Sequence, residues 1–147
     1  MTKYIFILIA LVIGGFLSVQ GSINAHLSSY LKHPLQASLT NFLVGTVILI
    51  ILNIVMKPGL PTGAEIRGIP WYLFLGGAIG AMFVTSVVLL IPRIGVATML
   101  AASIAGQLII ASIIDHFGYF NVSEHPFTLS RAVGILMLLG GIMLIQK

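Results

Sequence analysis

Gln20 and Asn24 lie four residues apart in "SVQGSINAHL", inside a run that is otherwise apolar. Carboxamides donate and accept hydrogen bonds without carrying charge, which suits a small polar, neutral or zwitterionic solute. At a helical spacing of i and i+4 both side chains share one face. Ser103 and Gln107 repeat that spacing later in the chain, and Asn41 and Ser86 add a carboxamide and a hydroxyl to two further apolar runs. Taken singly, such residues are best explained as hydrogen-bonding glue between membrane helices, worth about 1 kcal/mol or less each. Several of them at one depth point instead to a polar cavity, because burying that many without a solvated purpose is costly.

Ionisable groups are scarce. Asp115, in "IIDHFGYF" at the end of an apolar run, is the exception. A carboxylate at a helix C-terminus opposes the macrodipole and needs a compensating partner. Arg67 and Arg131 belong to the same side of the chain, so a structural ion pair is expected, with a proton-coupling site as the alternative. His26, His33, His116 and His125 are scattered without metal-ligand spacing. Asn121-Val122-Ser123 matches a glycosylation sequon, a weak signal for so short a pattern. No nucleophile–base set, phosphate loop or metal cluster is legible, so neither an enzyme nor a cofactor or metal is expected.

The elements that must position these residues follow from composition. The chain of 147 residues is 59% hydrophobic and 7% charged, with no cysteine. Its mean hydropathy is +1.15. A soluble domain of this size cannot hide so much apolar surface, which leaves an all-α integral membrane protein in contact with the lipid bilayer. Without cysteine there are neither disulfides nor thiolate metal sites. The net charge of +4 comes from few residues and fits headgroup flanking, not a nucleic-acid surface. Lys3 followed by the apolar run from Ile5 to Phe16 imitates a signal peptide. No small-x-small cleavage site follows promptly, so an uncleaved first helix is expected.

Five spans are predicted, over residues 4–31, 35–56, 71–91, 94–114 and 127–146, in a single membrane domain of residues 1–147. The first is longer than a hydrocarbon core of about 30 Å requires, so it is tilted, broken near Gly21, or extended past the membrane. "KPGLPTGAEIRGIP" is a polar loop, Pro70 opens the third span, and Trp71-Tyr72 sit where an aromatic belt is expected. Gln20 lies twelve residues from Lys32 and Gln107 fourteen from Arg93, which puts both near the bilayer middle. Asn24, Asn41 and Ser86 form a layer one turn closer to that face, with Ser103 between the layers. Spacing along the helices does not say whether these faces meet.

Small residues recur at helical spacing: Gly14, Ser18, Gly21 and Ala25; Gly76, Gly77, Gly80 and Ala81; Ala101, Ala102, Ala105 and Gly106. Such stripes let helix backbones approach closely in lipid. Five spans place the termini on opposite sides. Lys3, Lys57, Arg67 and Arg131 then face Lys32, Arg93 and Lys147, four against three. Lysine and arginine bias sets orientation, so a chain this balanced is expected to insert both ways. The plainer count discounts the terminal Lys147 and leaves four against two.

"QGSINAHL", "PLQASLTNFLVG", "GGAIGAMF", "PRIG", "GQLIIASIIDHFG" and "RAVGILMLLGGIML" together resemble the small YdcZ-like family of the drug/metabolite transporter superfamily, over essentially the whole chain. The resemblance implies a half-size bacterial inner-membrane transporter protomer working as an antiparallel, inverted-topology dimer. Small multidrug exporters of that superfamily carry a membrane glutamate in the first helix. Gln20 and Asn24 occupy that region here, so cation-for-proton exchange by that route is in doubt.

The function expected is therefore a secondary-active transporter protomer for a small-molecule substrate. Gln20, Asn24, Asn41, Ser86, Ser103 and Gln107 are the expected substrate-binding residues, with Asp115 as ion pair or coupling group. A homodimer is expected, or a heterodimer with an oppositely oriented paralogue. The alternatives are a multidrug or cation exporter, and a non-transporting scaffold or partner subunit.

Overall fold

A computed structural model describes the backbone of residues 2–146 and the side chains of residues 4–146. The Lys3 side chain and Lys147, both used in the charge count, lie outside the described residues. The regular elements are all helical. They are α1 (Thr2–Tyr30), α2 (Pro34–Met56), α3 (Gly63–Arg67), a 3₁₀ turn Trp71–Phe74, α4 (Leu75–Ile94), α5 (Val96–Phe117), a 3₁₀ turn Tyr119–Asn121, and α6 (Leu129–Ile145).

Among the described residues, four helices are long and apolar enough to cross a membrane, counting Trp71–Ile94 as one; α6, with 17 residues, is shorter. Its start explains the difference from the expected fifth span. The Phe127 N–H is given to His116 Nδ1 at 3.2 Å, and Thr128 is the N-cap, its hydroxyl accepting from the Arg131 N–H. Neither residue is free to join the helix.

α1 runs unbroken through Gly21. Its 29 residues rise roughly 43 Å at about 1.5 Å each. α2 begins with Pro34 at its first turn, where the missing N–H costs nothing, and His33 Nδ1 caps it by accepting from the Leu35 N–H at 3.2 Å. It ends where Lys57 turns left-handed (φ 49°) and donates its N–H to the Asn53 carbonyl. In the loop beyond, α3 is closed by a capping box: Thr62 and Glu65 exchange hydrogen bonds. The Thr62 amide and hydroxyl hold the Glu65 carboxyl below its ordinary range. α4 passes through Pro92 before ending at Ile94. So near the helix end, the proline removes one backbone bond without ending the helix at the preceding residue, where the third span was expected to stop.

The chain divides into two compact units, Met1–Pro92 and Arg93–Lys147. In the first, α1 packs along α2. α4 meets both: Gly21 faces Val87 and Ile91, Phe42 faces Gly80, and the Thr85 hydroxyl lies 3.1 Å from that of Ser38. Gly21 leaves no room for a large side chain in this approach. A Cβ there would stand 3.0 Å from Ile91 Cδ1 and 3.2 Å from Val87 Cγ1. The α4 residues used, Gly80, Val84, Val87, Val88 and Ile91, recur at helical spacing, so they form one stripe. Asn24, Ala37 and Ser38 are buried, whereas most large apolar side chains are exposed. That is the pattern expected where lipid, not water, is the solvent.

In the second unit α5 packs against α6. The connection folds back on the end of α5. Gly118 is left-handed (φ 62°), as are Phe120 and Asn121. The His125 N–H donates to the Asp115 carbonyl at 2.8 Å.

Candidate functional site

Two helices of the first unit bring carboxamides together on a pocket that a third helps to line. Gln20 and Asn24 from α1 and Asn41 from α2 line one pocket of about 250 Å³ with Gly45, Thr46 and Val84. The i, i+4 spacing puts the α1 pair on one face. Gly21, between them, lets that face approach α4 closely. α2 answers with Asn41 and Gly45, again four apart, so a carboxamide and a bare backbone line the same side.

Asn41 is the residue that needs explaining. Its Nδ2 is buried with no hydrogen-bond partner among the described residues. An amide left unpaired away from water costs about 1–3 kcal/mol. Asn24 is 3% exposed, so it too is held inside. Gln20 lines the pocket while remaining exposed. Together these groups offer donors and acceptors, and no charge, to whatever enters.

The other expected site residues are not on this pocket. Ser86 is exposed and gives its hydroxyl to the Met82 carbonyl at 2.8 Å. Its neighbour Val84 is the α4 residue that lines the pocket. Two residues along an α-helix are about 200° apart around the axis, so a helix that presents Val84 turns Ser86 away. In the second unit, Ser103 is half-buried, its hydroxyl 2.9 Å from the Met99 carbonyl and 3.3 Å from Met99 Sδ. Gln107 is exposed.

Asp115 is engaged. Arg131 Nη1 donates to its Oδ2 at 3.2 Å and to the His125 carbonyl at 3.3 Å. Both side chains are about one-third exposed, at 37% and 30%. With the His125 N–H on the Asp115 carbonyl, the pair ties the loop to both α5 and α6. Among the described residues no cluster of His, Asp or Glu could hold a metal ion.

Thr46 escaped the reading of the sequence. It lines the carboxamide pocket and also a second one, of about 540 Å³, running down α2 past Asn53 to Lys57. Its spacing from Asn41, about 140° around the helix, gave no signal, and its hydroxyl bonds its own helix at the Phe42 carbonyl. The Ser38–Thr85 contact between α2 and α4 was also not foreseen; threonine in an apolar run is too common to stand out.

Long apolar helices, with carboxamides gathered on one pocket, define a multi-pass membrane protein. The chain belongs to the YdcZ family: the family model described as "Putative inner membrane exporter, YdcZ" matches residues 5–144. It is thus a multi-pass inner-membrane protein of a transporter family. No match was found among curated proteins or among solved structures.

Proposed function

We propose that the chain is one protomer of a secondary-active transporter that moves a small polar, neutral or zwitterionic solute by alternating access. The observation that carries this is the buried, unpartnered Nδ2 of Asn41 on a pocket shared with Gln20 and Asn24. Hydrogen-bonding glue would have paired that amide with a neighbouring helix. A solute-binding group leaves it open until the solute arrives. A cation exporter would need a free acid in the cavity, and the Asp115 carboxylate is held by Arg131.

The protomer works as an antiparallel dimer. Two oppositely oriented copies form an inverted repeat, the usual basis for exchanging conformations around a midplane site. The nearly balanced lysine and arginine count supports it. So does the open space beside Gly14, Gly76, Gly77 and Gly106, small surfaces on which a second copy can pack. Gln107 and Ser103 of the second unit are proposed as further solute-contacting groups of the transporter.

A thermal-shift screen of small polar solutes on purified protein, followed by flux of the stabilising solute in proteoliposomes, tests this reading. Gln20→Ala and Gln107→Ala should abolish flux while leaving expression and dimerisation nearly intact. If both variants aggregate or dissociate while the surviving fraction transports normally, the polar residues are packing glue.

A further inference from the structure

The carboxamide pocket continues along α2. Its Thr46 and Leu49 also line the larger pocket of about 540 Å³, whose other walls include Asn53, Lys57, Gly59 and Leu60. Asn41, Gly45, Leu49, Asn53 and Lys57 follow one another every fourth residue, a ridge that winds gradually around α2, and the two pockets join at Thr46 and Leu49. From Thr46 to Lys57 the helix rises roughly 16 Å, about half of a hydrocarbon core of about 30 Å.

Two polar groups lie on that path. Asn53 Nδ2 donates to the Leu49 carbonyl at 2.9 Å, which occupies one of its two N–H groups. Its carbonyl oxygen can accept from a passing solute. Lys57 ends the helix at the groove's outer end. The C-terminus of a helix carries about half a negative charge, so a lysine there leaves the mouth net positive.

We propose that the groove made by these two joined pockets is a water-filled half-channel joining the carboxamide pocket to the membrane face that bears Lys57, and that Lys57 selects solutes carrying a carboxylate. The inference rests on the transporter reading and narrows its substrate class to zwitterions and small anions. In an antiparallel pair the partner's identical groove opens toward the opposite face. Two half-channels related by the dimer axis then serve the two sides of one site.

The chain has no cysteine, so single-cysteine variants each report one position. Thr46→Cys and Asn53→Cys sample the groove; Ile48→Cys and Ile51→Cys sample the other side of the same helix, where both residues are exposed. In nanodiscs at low salt, each is reacted with an anionic and with a cationic methanethiosulfonate. Only a thiolate in contact with water reacts, so the groove positions should label at least about tenfold faster than the controls. Lys57→Gln should lower the anionic-to-cationic rate ratio at Asn53→Cys by roughly threefold to tenfold, the influence of a unit charge about 6 Å away in water. Groove thiols as slow as the controls would mean that lipid fills the groove, and the half-channel is overturned. A rate ratio unchanged by Lys57→Gln overturns the carboxylate selection. Reactive groove thiols in a protein that carries no flux of any solute would instead overturn the transporter reading itself.

Discussion

Asn41 sets stability against function in a single side chain. Its buried Nδ2 lacks an acceptor, and leucine is of similar size without the polar atoms. Asn41→Leu should therefore raise the unfolding midpoint, by the equivalent of about 1–3 kcal/mol, while removing the thermal shift produced by solute. A lower midpoint with solute response retained would make Asn41 a packing residue. Asp115 and Arg131 behave differently, because their charges already meet at 3.2 Å. With both about one-third exposed, the pair is screened and its coupling should be modest. A double-mutant cycle of Asp115→Asn and Arg131→Gln should give about 0.5–1 kcal/mol in unfolding experiments. Transport by Asp115→Asn should keep its response to a proton gradient. Loss of that response with stability unchanged would make Asp115 the coupling residue.

The helices of the first unit meet where a side chain is missing. A Cβ on Gly21 lands 3.0 Å from Ile91 Cδ1, the free end of a side chain that can turn aside. Gly21→Ala should thus be tolerated. Gly21→Leu forces α1 and α4 apart and should cost about 1–3 kcal/mol. Adding Ile91→Ala should recover much of that loss, as measured by thermal unfolding; no recovery would show that Gly21 matters for another reason. Gly118 has no such slack. Its φ of 62° disfavours any side chain, and a Cβ would stand 2.8 Å from Glu124 Cγ. Gly118→Ala should destabilise the α5–α6 connection by about 1–2 kcal/mol or more.

For the molecule as a whole, orientation is the property most open to test. A count of four against three leaves insertion nearly unbiased, so reporters fused to the C-terminus should be active on both sides of the membrane. Lys32→Ser with Arg93→Ser leaves four against one and should lock the chain with the Lys3 face in the cytoplasm. That form should fail alone, lacking an antiparallel partner. Lys3→Ser with Arg67→Ser reverses the bias to two against three, spares Lys57, and should restore transport on co-expression. A wild-type C-terminus found on one side only would leave a heterodimer or a parallel assembly.

Hydropathy is a local property, so the membrane class and the long apolar helices were already determined by composition and run length, and motifs spread along the chain carried the family. The carboxamides were legible for the same reason: a Gln or Asn in an apolar run stands out wherever it points. Depth, counted along an axis from charged anchors, was an expectation of the same local kind. What the sequence left open was angle. Ser86 and Asn41 have the same expected depth, yet Asn41 lines a pocket with Gln20 and Asn24 while Ser86 bonds its own helix. Which sides of α1, α2 and α4 meet depends on side-chain shape at the contact, above all on the missing Cβ of Gly21. The short fifth helix has the same kind of cause. Phe127 and Thr128 are apolar and neutral enough to extend it, but the folded chain spends their groups on His116 and on the cap of α6. Those contacts join residues distant in the chain or hold a cap, and only the tertiary structure could decide them.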